Sequence, residues 1–144
     1  MQWEDGKNYG FSDAPAEKLY TAQDPAEDAP VVSQQMAEPA SLWHEIQKLA
    51  RVRRQYPALC ASGEIEFVYC EPEKYPLVYL RSEGDSKILV VLNPSGKEAS
   101  CPCPYELGEV FYVLGNEVTI TDGVLYIPGE SAAFAAVKGE GGSR

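Results

Sequence analysis

The chain of 144 residues is too short for a complete (β/α)8 barrel, which needs about 250 residues. Its 12 Lys and Arg against 22 Asp and Glu give a net charge of −10, and such a field disfavours nucleic-acid and anionic membrane partners. Apolar residues make up 44% and charged residues 24%, as in ordinary globular domains. The composition therefore indicates one compact domain, or one small domain with an appended segment.

Cysteine content and the N-terminal residues bear on cellular location. The cysteines are too sparse for a disulfide scaffold, so free thiols are expected at Cys60, Cys70, Cys101 and Cys103. Residues 1–6 lack the basic and apolar stretches of a secretory signal, and no apolar run approaches the roughly 20 residues of a membrane span. We therefore expect a cytoplasmic protein that does not bind a membrane.

The first 56 residues contain an irregular acidic stretch followed by a helical pattern. Residues 1–40 contain four prolines and carry a net charge of −6, from two lysines against eight acids, and they predict an irregular segment. Further on, Leu42, Ile46 and Leu49 fall on one face of a helix, and Trp43 widens that apolar stripe. Because a residue before proline disfavours the helical region, Pro57 ends the pattern, and one α-helix is predicted over residues 39–56.

Beyond residue 63 the hydrophobic period becomes two, which is typical of β-strands. Strands are predicted over residues 64–69, 77–80, 88–92, 109–114, 118–121, 124–127 and 132–137. The Asp122-Gly123 pair is a strong hairpin signal. Residues 88–92 are apolar on both faces, so a central strand covered on both sides is expected there.

These short strands with regular turns and no helix between them indicate a mainly β fold. We predict an antiparallel β-sandwich, Greek-key-like, preceded by one α-helix and an irregular N-terminal segment. In the first strand Ile65, Phe67 and Tyr69 are expected to share one face, with Glu64 and Glu66 on the solvated outer face. A flexible tail is expected over residues 139–144.

The residues capable of chemistry form no complete catalytic or metal site. The single histidine, His44, lies in the predicted helix without a nucleophile signature and is expected to be a surface or packing residue. The C-P-C motif at residues 101–103 lacks a second ligand pair, so a loop or an edge strand is expected rather than zinc binding. No glycine-rich phosphate loop is present. We therefore predict no catalytic residue, no metal site and no cofactor in this chain.

The opening residues carry a more specific signal. Residues 1–12 read M-Q-W-E-D-G-K-N-Y-G-F-S. They resemble the stretch P-M-Q-W-D-x-x-x-N-A-G-F-S, which follows the last barrel strand in α-glucosidase-like members of the α-amylase superfamily (glycoside hydrolase family thirteen). Residues 19–25 resemble its trehalose-synthase branch. Residues 39–53 resemble the family's last barrel helix, and residues 56–63 resemble the exit from that helix. Residues 78–93 resemble the first strands of the family's C-terminal β-domain.

This resemblance implies that the chain is the last part of a larger enzyme that cleaves or transfers at α-glucosidic bonds. Residues 1–60 would be the tail of the catalytic barrel, and residues 61–138 the C-terminal β-sandwich that stabilises it. The family's catalytic carboxylates lie upstream of these positions, so the chain alone is expected to be inactive and its partner to be the missing barrel. The resemblance places Gln2, Trp3, Asn8 and Phe11 on the loop at the substrate mouth, where they shape the loop or contact an α-glucan oligosaccharide.

Two other interpretations stay open at this point. A free-standing carbohydrate-binding or interaction module is the main alternative, because nine tyrosines accompany the sandwich pattern. A metal module built on the C-P-C motif is the other. In addition, a chain without a barrel would leave the helix face uncovered, so self-association is expected through this face, formed by Leu42, Trp43, Ile46 and Leu49.

Overall fold

A computed structural model describes residues 1–138, and the predicted tail at residues 139–144 lies outside them. The chain divides into two compact units, Met1–Arg51 and Val52–Arg144. No helix among the described residues is long and apolar enough to cross a membrane.

The first unit begins with an irregular but hydrogen-bonded segment. It contains two 3-10 turns, Lys7–Gly10 and Ala16–Lys18, and the short helix α1 (Val32–Ala37). The Val32 amide donates to the Gln2 carbonyl and the Ser33 amide to the Trp3 carbonyl, both at 2.9 Å. The predicted irregular segment is therefore confirmed. The short helix α1 was not predicted, because its six residues, V-S-Q-Q-M-A, form no apolar stripe.

The predicted main helix is confirmed as α2 (Leu42–Gln55). Arg53 and Arg54 occupy its last turn, where cations stabilise the negative end of the helix dipole. Pro57 keeps Tyr56 in an extended conformation, so α2 ends there, and the 3-10 turn Pro57–Leu59 follows.

The second unit is a sandwich of two antiparallel sheets, which confirms the predicted fold class. The larger sheet has the order β1 (Glu64–Tyr69), β2 (Leu77–Glu83), β3 (Ser86–Asn93), β8 (Ser131–Val137) and β5 (Leu107–Leu114). The smaller sheet has the order β4 (Ala99–Pro102), β7 (Val124–Ile127) and β6 (Thr119–Thr121). The C-P-C motif runs from the edge strand β4 into the loop after it, so the edge-strand alternative holds for Cys101.

The core lies between the two sheets. The larger sheet contributes Val78, Leu80, Leu89 and Val91, and the smaller one Cys101, Leu125 and Ile127, with Cys103 beside them. The expected central strand is confirmed, because β3 is third of five in its sheet and its residues 88–91 are at most 2% exposed. Burying one such aliphatic side chain contributes about 1.5–3 kcal/mol.

A β-bulge between Phe67 and Tyr69 corrects the expectation for β1. Phe67 pairs with Tyr79 but Tyr69 pairs with Val78, so the extra residue turns Tyr69 toward the core between the sheets. Ile65 and Phe67 stay 52% and 60% exposed on the opposite face.

The acidic residues of β1 also lie differently from the prediction. Glu64 and Glu66 share one face, as predicted, but it is the inner side of this edge strand. Their partners on β2 are Ser82 and Leu80, and the Leu80 side chain points into the core. Glu66 remains exposed because β1 is at the edge of the sheet, and the Tyr105 hydroxyl donates to Glu66 at 3.4 Å.

The outer face of the larger sheet is covered by the turn after α2. Ala58 is fully buried against Ile88 and Val90, and the rings of Tyr56 and Phe111 stack at 3.9 Å. The Arg81 guanidinium secures this turn by donating to three backbone carbonyls, those of Ala58, Cys60 and Gly63, at 2.6–3.1 Å.

Asn93, at the end of β3, is the polar connection between the two sheets. Its side chain is 1% exposed, and Nδ2 lies 2.8 Å from the Lys97 carbonyl oxygen and 3.0 Å from those of Ile127 and Pro128. Oδ1 accepts from the Ser95 hydroxyl at 2.7 Å. All its polar atoms are thus satisfied by the protein, as a buried amide requires.

Candidate substrate-mouth loop

The first unit contains a loop with an unusual backbone around Asn8. Asn8, Tyr9 and Gly10 follow one another in the left-handed region, with φ values of 52°, 50° and 71°. Left-handed geometry disfavours side chains such as that of Tyr9, so the surrounding contacts must hold the loop in place. The Tyr9 carbonyl accepts from the Trp3 amide at 2.8 Å, and the Tyr9 hydroxyl donates to the Asp24 carbonyl at 3.1 Å.

Asn8 organises this loop from inside. It is 6% exposed, and its Nδ2 donates to the carbonyls of Ser12 and Ala14 at 2.7 and 2.8 Å. Its Oδ1 accepts from the Gln23 side chain at 3.0 Å. Because these bonds occupy both of its donors, Asn8 acts within the loop, and Gln23 is a supporting residue that the sequence patterns did not single out.

The other three predicted residues divide by exposure. The Gln2 amide donates to the Pro30 carbonyl at 2.9 Å and so joins the two ends of the irregular segment. Trp3 and Phe11 are 50% and 45% exposed. The structure therefore has two polar residues, Gln2 and Asn8, in internal hydrogen bonds, and two aromatic residues, Trp3 and Phe11, with rings open to a ligand.

The remaining chemical candidates build no second site in the part of the chain that the structure describes. His44 Nε2 lies 3.1 Å from the Met36 carbonyl oxygen. No group of three or more His, Cys, Asp or Glu side chains among residues 1–138 could hold a metal ion. Cys101 and Cys103 are free and buried at 3% and 7% exposure, and burial, with a smaller contribution from Cys103, raises the pKa of Cys101 from 9.0 to about 11.

This raised pKa predicts a loss of stability at alkaline pH. Between pH 9 and 11 the unfolded chain has released the Cys101 proton while the folded chain still holds it, so stability falls as the pH rises through this window. Cys101→Ala should flatten that decline relative to the unchanged chain, as measured by urea unfolding at pH 8, 9.5 and 10.5. An identical decline in both proteins would contradict the assignment, and Cys70→Ala, at an exposed thiol, is the matched control.

The chain has relatives among carbohydrate-active enzymes. No family model matches it. It is 33% identical over 136 residues to a protein named "Probable alpha-glucosidase" from Rhizobium meliloti, which covers 94% of this chain and 23% of that protein. It is 31% identical over 98 residues to the glucan 1,6-α-glucosidase of Streptococcus pneumoniae, covering 68% of this chain and 17% of that protein.

A solved structure shares the fold over almost the whole chain. Isomaltulose synthase from Erwinia rhapontici superposes with a TM-score of 0.78 at 22% identity, over 96% of this chain and 25% of that one. The chain spans about a fifth of the length of the curated relatives it matches. The fold and the relatives both point to the α-amylase superfamily, and this chain matches a part of those proteins. Within that superfamily the chain is homologous to α-glucosidases, and the predicted resemblance is confirmed.

Proposed function

We propose that the chain is the non-catalytic C-terminal part of a glycoside hydrolase or glucosyl-transferring enzyme that acts on α-glucosidic bonds of oligosaccharides. One observation carries the proposal: 94% of this chain aligns within 23% of the α-glucosidase relative at 33% identity. In this proposal residues 1–60 complete the catalytic barrel and residues 61–138 form the β-domain that stabilises it. The chain alone has no turnover, and its partner is the barrel. The free thiols support a cytoplasmic location.

The loop around Asn8 lies at the substrate mouth in this proposal. Gln2 and Asn8 hold the loop by the hydrogen bonds to Pro30, Ser12 and Ala14. Trp3 and Phe11 offer their exposed rings to an α-glucan oligosaccharide, since aromatic faces can cover the apolar side of a sugar ring. This loop shapes and orients the site, and the bond-breaking carboxylates belong to the barrel.

A chimera tests the main proposal. The matching part of the Rhizobium meliloti protein is replaced by this chain, and hydrolysis of maltose, isomaltose, sucrose and trehalose is measured beside the unchanged relative. We expect the chimera to act on the substrates of its barrel, whereas the chain alone is inactive on all four. Turnover by the chain alone at ordinary enzyme rates, lost on replacing one of its own acids, would overturn the proposal.

The exposed apolar face of α2 suggests how the chain behaves without a barrel. Leu42 and Ile46 are 70% and 56% exposed, and Trp43 is 37% exposed. With Val31 and Pro30 they line a cavity of about 690 Å³ within the first unit. We propose that barrel elements fill this cavity in the enzyme and that a second copy covers the helix face when no barrel is present, because exposed apolar clusters of this kind favour association.

We therefore expect the isolated chain to dimerise in a concentration-dependent manner. Leu42→Glu should raise the dimer dissociation constant roughly tenfold or more, because a carboxylate at this point would be buried against apolar side chains. Sedimentation equilibrium measures the mass. Tyr20→Glu is the matched control, since Tyr20 is fully exposed outside the face. A monomer at every concentration, or equal dimerisation of both variants, would contradict self-association through this face.

A further inference from the structure

The outer face of the smaller sheet has a regular arrangement that neither the core nor the loop around Asn8 uses. Tyr126 lies on the central strand β7, and directly opposite it are Ser100 on β4 and Thr119 on β6. The next row has Val124 in the centre, with Pro102 and Thr121 opposite. We call these two rows the tyrosine face.

The tyrosine face points away from the core. Along β7 the alternate residues Leu125 and Ile127 are fully buried between the sheets, so Val124 and Tyr126 lie on the opposite side. Tyr126 is 41% exposed, which is high for an aromatic ring on the central strand of a sheet. Its neighbours Ser100 and Thr119 are exposed as well.

The chemistry of this face is neutral and amphipathic. None of its six side chains is charged, although the chain has 24% charged residues and a net charge of −10. Tyrosine, valine and proline supply apolar area, while Ser100, Thr119 and Thr121 supply hydroxyls that both donate and accept. A pyranose ring needs the same pair of features, namely an aromatic surface for its C–H face and nearby groups for its hydroxyls.

We propose that the tyrosine face binds an α-glucan oligosaccharide, with one glucose ring on Tyr126 and the hydroxyls of Ser100 and Thr119 bonding to that ring's edge. The choice of an α-glucan rests on the proposed function, whereas the choice of a neutral sugar rests on the face itself. An anionic ligand is disfavoured because the face contains no cation and the whole chain is acidic. The role of such a site is to hold a polymeric substrate near the enzyme.

Chemical-shift mapping on the unchanged full chain tests this without relying on a variant. Maltoheptaose and isomaltoheptaose are titrated, and we expect saturable changes concentrated at Ser100, Thr119 and Tyr126. Changes confined to Trp3 and Phe11 would overturn the proposal and would instead support the substrate-mouth loop. The chimera assay does not depend on this site, so failure of the proposed function and failure of the tyrosine face give different results.

A variant pair measures the contribution of the ring. Tyr126→Ala should weaken maltoheptaose binding roughly tenfold or more, because tyrosines at the centre of a binding surface carry much of its affinity. Tyr20→Ala, at a fully exposed tyrosine elsewhere, should leave the affinity unchanged. Circular dichroism verifies that both variants fold. Equal affinity of the two variants would overturn the proposal, and so would binding that does not saturate at ten-millimolar sugar. A Tyr126→Ala variant that loses self-association, in a chain that binds no sugar, would also overturn it.

Discussion

Asn93→Ala is expected to lower the free energy of unfolding by about 3–5 kcal/mol. The substitution removes the group that donates to the carbonyls of Lys97, Ile127 and Pro128. The Ile127 oxygen then lacks this partner at a buried position, and the other two oxygens lack it at partly buried positions. A buried, unsatisfied polar group costs about 1–3 kcal/mol, and each of the two partly buried hydrogen bonds that are also lost adds about 0.5–1.5 kcal/mol. The two sheets should therefore separate at a lower denaturant concentration.

Urea unfolding followed by circular dichroism measures this effect. Asn116→Ala is the matched control because Asn116 is exposed and the substitution keeps its backbone amide, which donates to the Ser131 hydroxyl at 2.9 Å. That control should change stability by no more than about 0.5 kcal/mol. Equal destabilisation by both variants would mean that Asn93 does not join the two sheets.

Leu89→Ala is expected to cost about 3–5 kcal/mol through the cavity it leaves in the core. Leu89 is fully buried in the central strand β3, where Leu80 and Ala135 are its partners on the neighbouring strands. Strands on both sides limit the collapse of the cavity, which places this site near the upper end of the range for leucine truncations.

The comparison for Leu89 is Leu114→Ala, because Leu114 is 44% exposed at the end of β5 and should lose at most about 1 kcal/mol. Native-state hydrogen exchange adds an independent measurement. The amides of residues 89–92 should be among the slowest in the unchanged chain, and Leu89→Ala should accelerate them together. A similar loss for both variants would show that β3 is not at the centre of the core.

The parts of the fold that follow from the sequence are those with a regular hydrophobic period. The continuous apolar run at residues 88–92 predicted a central strand, and the pair Asp122-Gly123 predicted the hairpin between β6 and β7. Both predictions are confirmed because an apolar run and a two-residue turn signal are features of neighbouring residues in the sequence. The strand β4 was not among the predicted strands, and the C-P-C motif was given only as a loop or an edge strand, because the four residues A-S-C-P have a proline and one buried side chain.

The features that sequence patterns missed depend on contacts far along the chain. The bulge that turns Tyr69 into the core is set by its pairing with Val78, and no period in β1 reports it. The Arg81 side chain reads as an ordinary strand residue, yet it holds a turn 18–23 residues earlier. In the loop, Asn8 was recognised only through the resemblance, and its support from Gln23 became visible only in three dimensions.

The residue after Asn93 gives this buried amide a further property, which concerns chemical ageing rather than folding. Asparagine deamidates mainly when the backbone nitrogen of the next residue attacks its side chain to form a succinimide. The next residue here is Pro94, whose ring nitrogen carries no hydrogen and cannot complete that reaction. Pro94 therefore protects the side-chain amide of Asn93, which joins the two sheets, from deamidation. On prolonged storage at alkaline pH, deamidation should accumulate at the exposed Asn116, which Glu117 follows, while Asn93 stays intact.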